Sequence, residues 1–254
     1  AVSLRSSIAK RRSHLNAALC DRGKIMKIEQ MKGEIVKIGI SLTNVAPTYH
    51  ATAFWLDING VDTLVTAAHV LWNLKPKNKL RQKVYLWVAN EVKIEQAPYE
   101  VEIEVHPENN RCINLQDPGI DAARIIPLED KPFPKATAVF QIDSTILKNG
   151  DSVLGVGYID RVIEVSTMYA MVNDVANTPV GTSMVNITYK LTGGALPACS
   201  GGPFFKADLN SKLWTDRGKT ISGSVVGTLI GRANQPRPRA SDEILVQSIL
   251  QYVW

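Results

Sequence analysis

From Glu34 onward the chain breaks into short β-branched runs separated by turn residues, over 34–40, 51–56, 64–66, 84–88 and 99–105. Runs this short and this evenly spaced cannot hold several helical turns of 3.6-residue periodicity, and they confine the chain to an all-β architecture. Asn59-Gly60 lies between the second and third runs. That dipeptide tolerates positive φ at both centres of a two-residue turn, so it predicts a hairpin ending just ahead of His69. A second set of runs covers 152–156, 162–171, 183–191, 202–205 and 222–229. Between the two sets stands Lys131-Pro132-Phe133-Pro134, whose prolines cannot belong to a central strand. The expected organisation is a basic extension over 1–33, one β-unit over 34–134 and a second over 135–254.

Both ends read as helical. Residues 3–19 can place Ile8, Leu15, Ala18 and Leu19 on one face before Gly23. At the other end, Ser241-Asp242-Glu243 precedes Ile244, Leu245, Ile249, Tyr252 and Val253, a cap-like start followed by an apolar helical stripe.

Residues 1–37 hold nine Lys and Arg against Asp21, Glu29 and Glu34, which accounts for the net charge of +5. Lys75, Lys77, Lys79, Arg81 and Lys83 form a second basic cluster, and Arg232, Arg237 and Arg239 a third. Such clusters can attract nucleic acid or another anionic partner, but no aromatic residues interleave with them, and a solvated face is the favoured reading. No apolar run reaches the eighteen or so residues of a membrane-spanning helix. No signal-peptide core follows Lys10-Arg11-Arg12. Three cysteines, Cys20, Cys112 and Cys199, are too few for a disulfide scaffold. A cytoplasmic location is expected. No His/Cys spacing suits a metal and no glycine-rich phosphate loop is present, so neither metal nor cofactor is expected. Asn186-Ile187-Thr188 matches a glycosylation acceptor that would matter only in a secreted chain.

Three stretches carry chemistry. In Leu64-Val-Thr-Ala-Ala-His69-Val70 a buried strand runs through two small residues to an imidazole. In Pro197-Ala198-Cys199-Ser200-Gly201-Gly202-Pro203 two glycines permit a tight turn that exposes the Ser200 hydroxyl and lets backbone N–H groups converge on one point. In Gly119-Ile120-Asp121-Ala122-Ala123 a carboxylate enters an apolar segment and needs a partner there. Read alone, Asp121 is equally a turn or cap residue and His69 a structural histidine. Asp117, held in a turn by Pro118 and Gly119, is the weaker acid.

Thr66-Ala-Ala-His69, Asp121 ahead of its apolar strand and Ser200-Gly-Gly-Pro203, in that order, resemble the chymotrypsin/trypsin-like serine peptidases. Weaker matches are Val105-His106-Pro107, the strand opening at Gly150, the Val225–Leu229 stretch and the C-terminal helix. The resemblance covers about residues 34–254 and implies two six-stranded antiparallel β-barrels with the site between them. It further implies a serine endopeptidase acting on protein or peptide substrates, with Ser200 as nucleophile, His69 as base and Asp121 as its orienting acid. Backbone N–H groups of Ala198 and Ser200 would form the oxyanion hole, and Gly194, Thr228, Leu229 and Ile230 would border the substrate cleft. Gly194 falls where trypsin-like members carry an aspartate for basic side chains, so an uncharged or apolar preference is expected. Ala198 stands in place of the family's glycine, and Cys199 in place of the aspartate that pairs with a newly cut amino terminus. Viral relatives use a cysteine nucleophile, but here the residue followed by two glycines is Ser200. The alternative reading is a catalytically weak or inactive protein of this fold, acting as a binding or scaffold module.

Overall fold

The structure, a computed structural model, describes residues 25–27, 34–44, 49–71, 81–89, 98–107, 120–128, 133–134, 136, 139–158, 165–180, 184–192, 200–207, 220–222, 224–232 and 243–254. The expected helix over 3–19, all three cysteines and most of the basic clusters lie outside these residues.

Six strands form the first barrel: β2 (Ile35–Ser41), β3 (Tyr49–Ile58), β4 (Val61–Thr66), β5 (Arg81–Ala89), β6 (Tyr99–Val105) and β7 (Ala123–Pro127). They close in the order β2-β3-β4-β7-β6-β5, every pair antiparallel. The β3–β4 turn is the predicted hairpin. Asn59 and Gly60 both have positive φ, 56° and 84°, and the Gly60 N–H donates to Asp57 Oδ1 at 2.7 Å. Alternation is plain on β5 and β6, where Val84, Leu86, Val101 and Ile103 are buried while Glu104 on the outer face accepts from Arg81.

The second barrel comprises β9 (Ser152–Tyr158), β10 (Val165–Val180), β11 (Met184–Thr192), β12 (Pro203–Lys206), β14 (Ser224–Arg232) and β15 (Glu243–Ser248). Its order is β9-β10-β11-β15-β14-β12, and β12 returns to β9 to close the ring. Two short pieces are added: β8 (Gln141–Ile142) lies parallel to β14, and β1 (Ile25–Lys27) pairs with β13 (Thr220–Ser222). The proline-rich segment before β8 is docked on the first barrel, because Phe133 packs edge-on against Trp55 and Tyr99 at 5.9 and 5.5 Å between ring centroids.

The C-terminal helix expected from Ile244 onward is not formed. Residues 243–248 are a strand, and only Ile249–Tyr252 make a single 3₁₀ turn, with Ser248 at its N-cap. The reason is burial on both faces of β15. Ile244 and Val246 enter the second barrel's core, whereas Leu245 packs into the first barrel's core. A strand buried on both sides shows no apolar–polar alternation, so its sequence resembles a buried helix.

The barrels meet across a continuous apolar seam in which Phe140 stands edge-on to Phe54 and Phe205, at 6.2 and 5.1 Å. Polar ties cross the same seam. The Tyr158 hydroxyl donates to the Ile35 carbonyl at 3.1 Å, and the Tyr158 N–H donates to Thr52 Oγ1 at 3.0 Å. The Tyr252 hydroxyl donates to the Thr66 carbonyl at 2.8 Å, and burial raises its pKa further above the ordinary phenol value, so it remains a donor. Arg124 on β7 completes the join by donating to the carbonyl oxygens of Tyr252 and Trp254, at 2.6 and 2.8 Å, beneath the Trp254 ring. Tyr252→Phe keeps the ring and deletes one tie. It is expected to lower unfolding free energy by about 1 kcal/mol in a urea titration with the m-value unchanged.

Candidate active site

His69 sits where β4 ends. Ala67 and Ala68 are completely buried in the first barrel's core, and their small size lets the chain leave that core in a short 3₁₀ turn, Ala68–Leu71, that carries the imidazole to the surface. The His69 side chain is 24% exposed, whereas Asp121, between buried Ile120 and Ala122 just before β7, has no exposure. A carboxylate so placed must have its oxygens satisfied by protein. One oxygen, Oδ1, accepts the His69 backbone N–H at 2.7 Å, and Oδ2 meets His69 Nδ1 at 2.7 Å. The Ala68 N–H reaches the Asp121 carbonyl at 3.3 Å.

The structure therefore brings His69 and Asp121 together at two points of contact across 52 residues of sequence. A carboxylate oxygen accepts, so in the neutral imidazole the arrangement favours the tautomer with the proton on Nδ1 and Nε2 as the acceptor nitrogen. Burial pulls the His69 pKa down, but the charge of Asp121 and its hydrogen bond together outweigh burial and hold it above the ordinary 6.5.

Ser200 lies on the turn that feeds β12, with its side chain partly exposed. Its carbonyl accepts the Thr52 N–H at 2.9 Å, which fastens the turn to the first barrel. Gly201 has φ +83°, and a Cβ there would fall on the Thr52 carbonyl oxygen and Thr66 Oγ1. The serine turn is thus lodged against Thr66 and Ala67, the residues that lead into His69. The Gly201 N–H donates to the Leu229 carbonyl at 2.8 Å, and the Leu229 N–H donates to the Gly202 carbonyl at 3.0 Å, so β14 supports the turn from the other side.

Thr228, Leu229 and Ile230 are placed beside this turn, but their side chains are buried at 0%, 3% and 4% exposure, in or against the barrel cores. What this stretch can offer a ligand is backbone. Ala198 and Gly194 lie outside the described residues. His106 is buried, donates its N–H to the Ala122 carbonyl at 3.0 Å and packs edge-on to Trp254. Burial and Arg124 push its pKa down to about 4, so it is a neutral packing histidine at the acid-bearing strand. Asn186 is fully buried, which removes it as a glycosylation acceptor. Among the described residues no group of three or more His, Cys, Asp or Glu is placed to hold a metal ion.

One residue of this region is missed by sequence reasoning. Gln247, completely buried on β15, accepts the Asp121 backbone N–H at 2.8 Å. Its only sequence signal is a single amide within the apolar run Ile244-Leu-Val-Gln247-Ser-Ile-Leu250.

The sequence matches no protein-family model and no curated protein. Solved structures share its architecture. The active form of the Rv3671c protease from M. tuberculosis superposes with a TM-score of 0.54 at 18% identity, over 88% of this chain and 79% of that one. The MamO protease domain from Magnetospirillum magneticum gives 0.51 at 16%, over 87% and 94%. The protease Anisep from Arthrobacter nicotinovorans gives 0.53 at 13%, over 85% and 90%. The chain has the double β-barrel fold of the trypsin-like serine proteases.

The conformation of the serine turn is tested by Gly201→Ala. A methyl group at positive φ, pressed on backbone and a buried hydroxyl, is expected to cost about 2–4 kcal/mol of stability, read as a lowered denaturant midpoint.

Proposed function

We propose that this chain is a serine endopeptidase in which Ser200 attacks the scissile carbonyl, His69 is general base and then general acid, and Asp121 orients the imidazole. The observation that carries the reading is the buried Asp121 carboxylate turned on His69, one oxygen on the backbone N–H and the other on Nδ1. That arrangement presents Nε2 as a proton acceptor and stabilises the imidazolium once it forms. Support for Ser200 comes from its glycine turn, held between Thr52 and Leu229 beside the strand end that bears His69.

In the reaction, His69 Nε2 takes the Ser200 hydroxyl proton as Oγ bonds to the peptide carbonyl carbon. The tetrahedral adduct collapses with cleavage of the C–N bond, and the proton passes from His69 to the departing amine. Water, deprotonated by the same imidazole, then releases the acid product from the Ser200 ester. Backbone N–H groups of the turn, including those of Ser200 and Ala198, receive the developing oxyanion. Gly231 and Arg232 pair with β15 on one side and, among the described residues, have no strand on the other. This edge suits an extended peptide substrate paired through its main chain.

A fluorophosphonate probe is expected to label the wild-type chain and not Ser200→Ala, and a peptide library digested by the wild type only would define the cleavage preference. A folded wild type that labels no better than Ser200→Ala would sink the reading and leave a binding module. The base must be neutral to act, so kcat/KM is expected to fall as pH drops through the His69 pKa. Because Asp121 raises that pKa, the acidic limb should lie above 6.5. Asp121→Asn removes the raising charge, moves the limb down and lowers kcat by on the order of 10⁴.

A further inference from the structure

We infer that Gln247 is a positioning residue for the His69–Asp121 pair, set on the second barrel and reaching across the seam to fix the peptide that carries the acid. The inference rests on the proposed peptidase reading for its kinetic consequences, while its structural part concerns only Asp121 and His69.

The orientation of the Gln247 amide follows from its partners. The Asp121 main-chain N–H can only donate, so the atom facing it at 2.8 Å is the amide oxygen. Nε2 must then donate, and it does so to Asn186 Oδ1 at 2.8 Å. With that oxygen identified as an acceptor, Thr188 Oγ1 donates to it as well, at 3.4 Å. All three side chains are buried to within 2% exposure, so water does not compete for these bonds. Asn186 and Thr188 both lie on β11, and Thr188 is paired with Gln247 in the β11–β15 register. A chain of amides anchored in the ladder of the second barrel thus ends on the backbone of the first.

Among the described residues, Asp121 is held from both barrels. Its carbonyl is met by the Ala68 N–H and its two carboxylate oxygens by His69, all from the first barrel. Its N–H is held by the second barrel, which also carries Ser200. Gln247 therefore couples the placement of the acid and base to the barrel that bears the candidate nucleophile. Among the described residues, Asp121 is the charged group that acts on His69, and Tyr252 is a titratable group beside that carboxylate.

Gln247→Met preserves side-chain length and removes the hydrogen bonds to Asp121 and Asn186. In the folded variant, an NMR titration of the His69 imidazole is expected to shift down by about half a pH unit or more, as the Asp121–His69 contact loosens. Peptide hydrolysis should lose about tenfold in kcat with KM within twofold, and the acidic limb should move down with the titration. Asn186→Leu, which leaves Gln247 opposite Asp121 but frees its other end, should shift both readouts the same way by less. It also serves as the test if Gln247→Met does not fold. A folded variant with a lowered melting temperature but unchanged His69 titration would show a merely structural role and overturn the inference. The titration needs no turnover, so an inactive wild type would overturn the peptidase reading and leave this one to be decided by NMR.

Discussion

A buried carboxylate needs protein groups in place of its hydration, and Asp121 finds them in His69, whose backbone N–H and Nδ1 each meet one of its oxygens. The demand propagates outward. His69 must present two nitrogens to one side chain, which requires the chain to turn at Ala67 and Ala68, which in turn requires β4 to end at Thr66. The peptide bearing Asp121 must find a partner for its own N–H, and with no water available that partner is Gln247 of the other barrel. At Asp121 the seam between the barrels is tied by a polar contact, as it is at Tyr158, Tyr252 and Arg124, and around Phe140 it is apolar.

The serine turn obeys a different constraint, that of close approach. Gly201 lies so near the Thr52 carbonyl and Thr66 that no side chain fits, and the backbone there has the positive φ that glycine adopts without penalty. The turn is thus located by contact with the first barrel and by hydrogen bonds to Leu229 of the second. Thr66 lies at the meeting point of both constraints, with its hydroxyl donating to Thr52, its carbonyl accepting from Tyr252 and its side chain against Gly201.

Much of this could be read from the residues, and the exceptions have a common cause. The hairpin at Asn59-Gly60 and the alternating strands β5 and β6 are legible because turn chemistry and half-burial leave local marks, whereas His69 and Asp121 are paired only by the order of the three stretches and the family resemblance. Strand β15 leaves none. It is buried on one face by its own barrel and on the other by the neighbouring one, so Ile244, Leu245 and Val246 imitate a helix stripe. Gln247 and Asn186 fail for the same reason: each side chain's partner lies far off in sequence, 126 residues in one case and 61 in the other, and a triplet such as Asn186-Ile-Thr188 suggests a surface where there is core.

The tie between the Tyr252 hydroxyl and the Thr66 carbonyl spans 186 residues. Closing so long a loop costs chain entropy that one hydrogen bond does not offset, so the tie depends on the packing of both barrels around it. During synthesis, His69, Asp121 and Ser200 all leave the ribosome before β15 and the turn that follows it are available. The candidate site thus acquires its ties to Gln247 and Tyr252 only after the segments that bear His69, Asp121 and Ser200 have emerged.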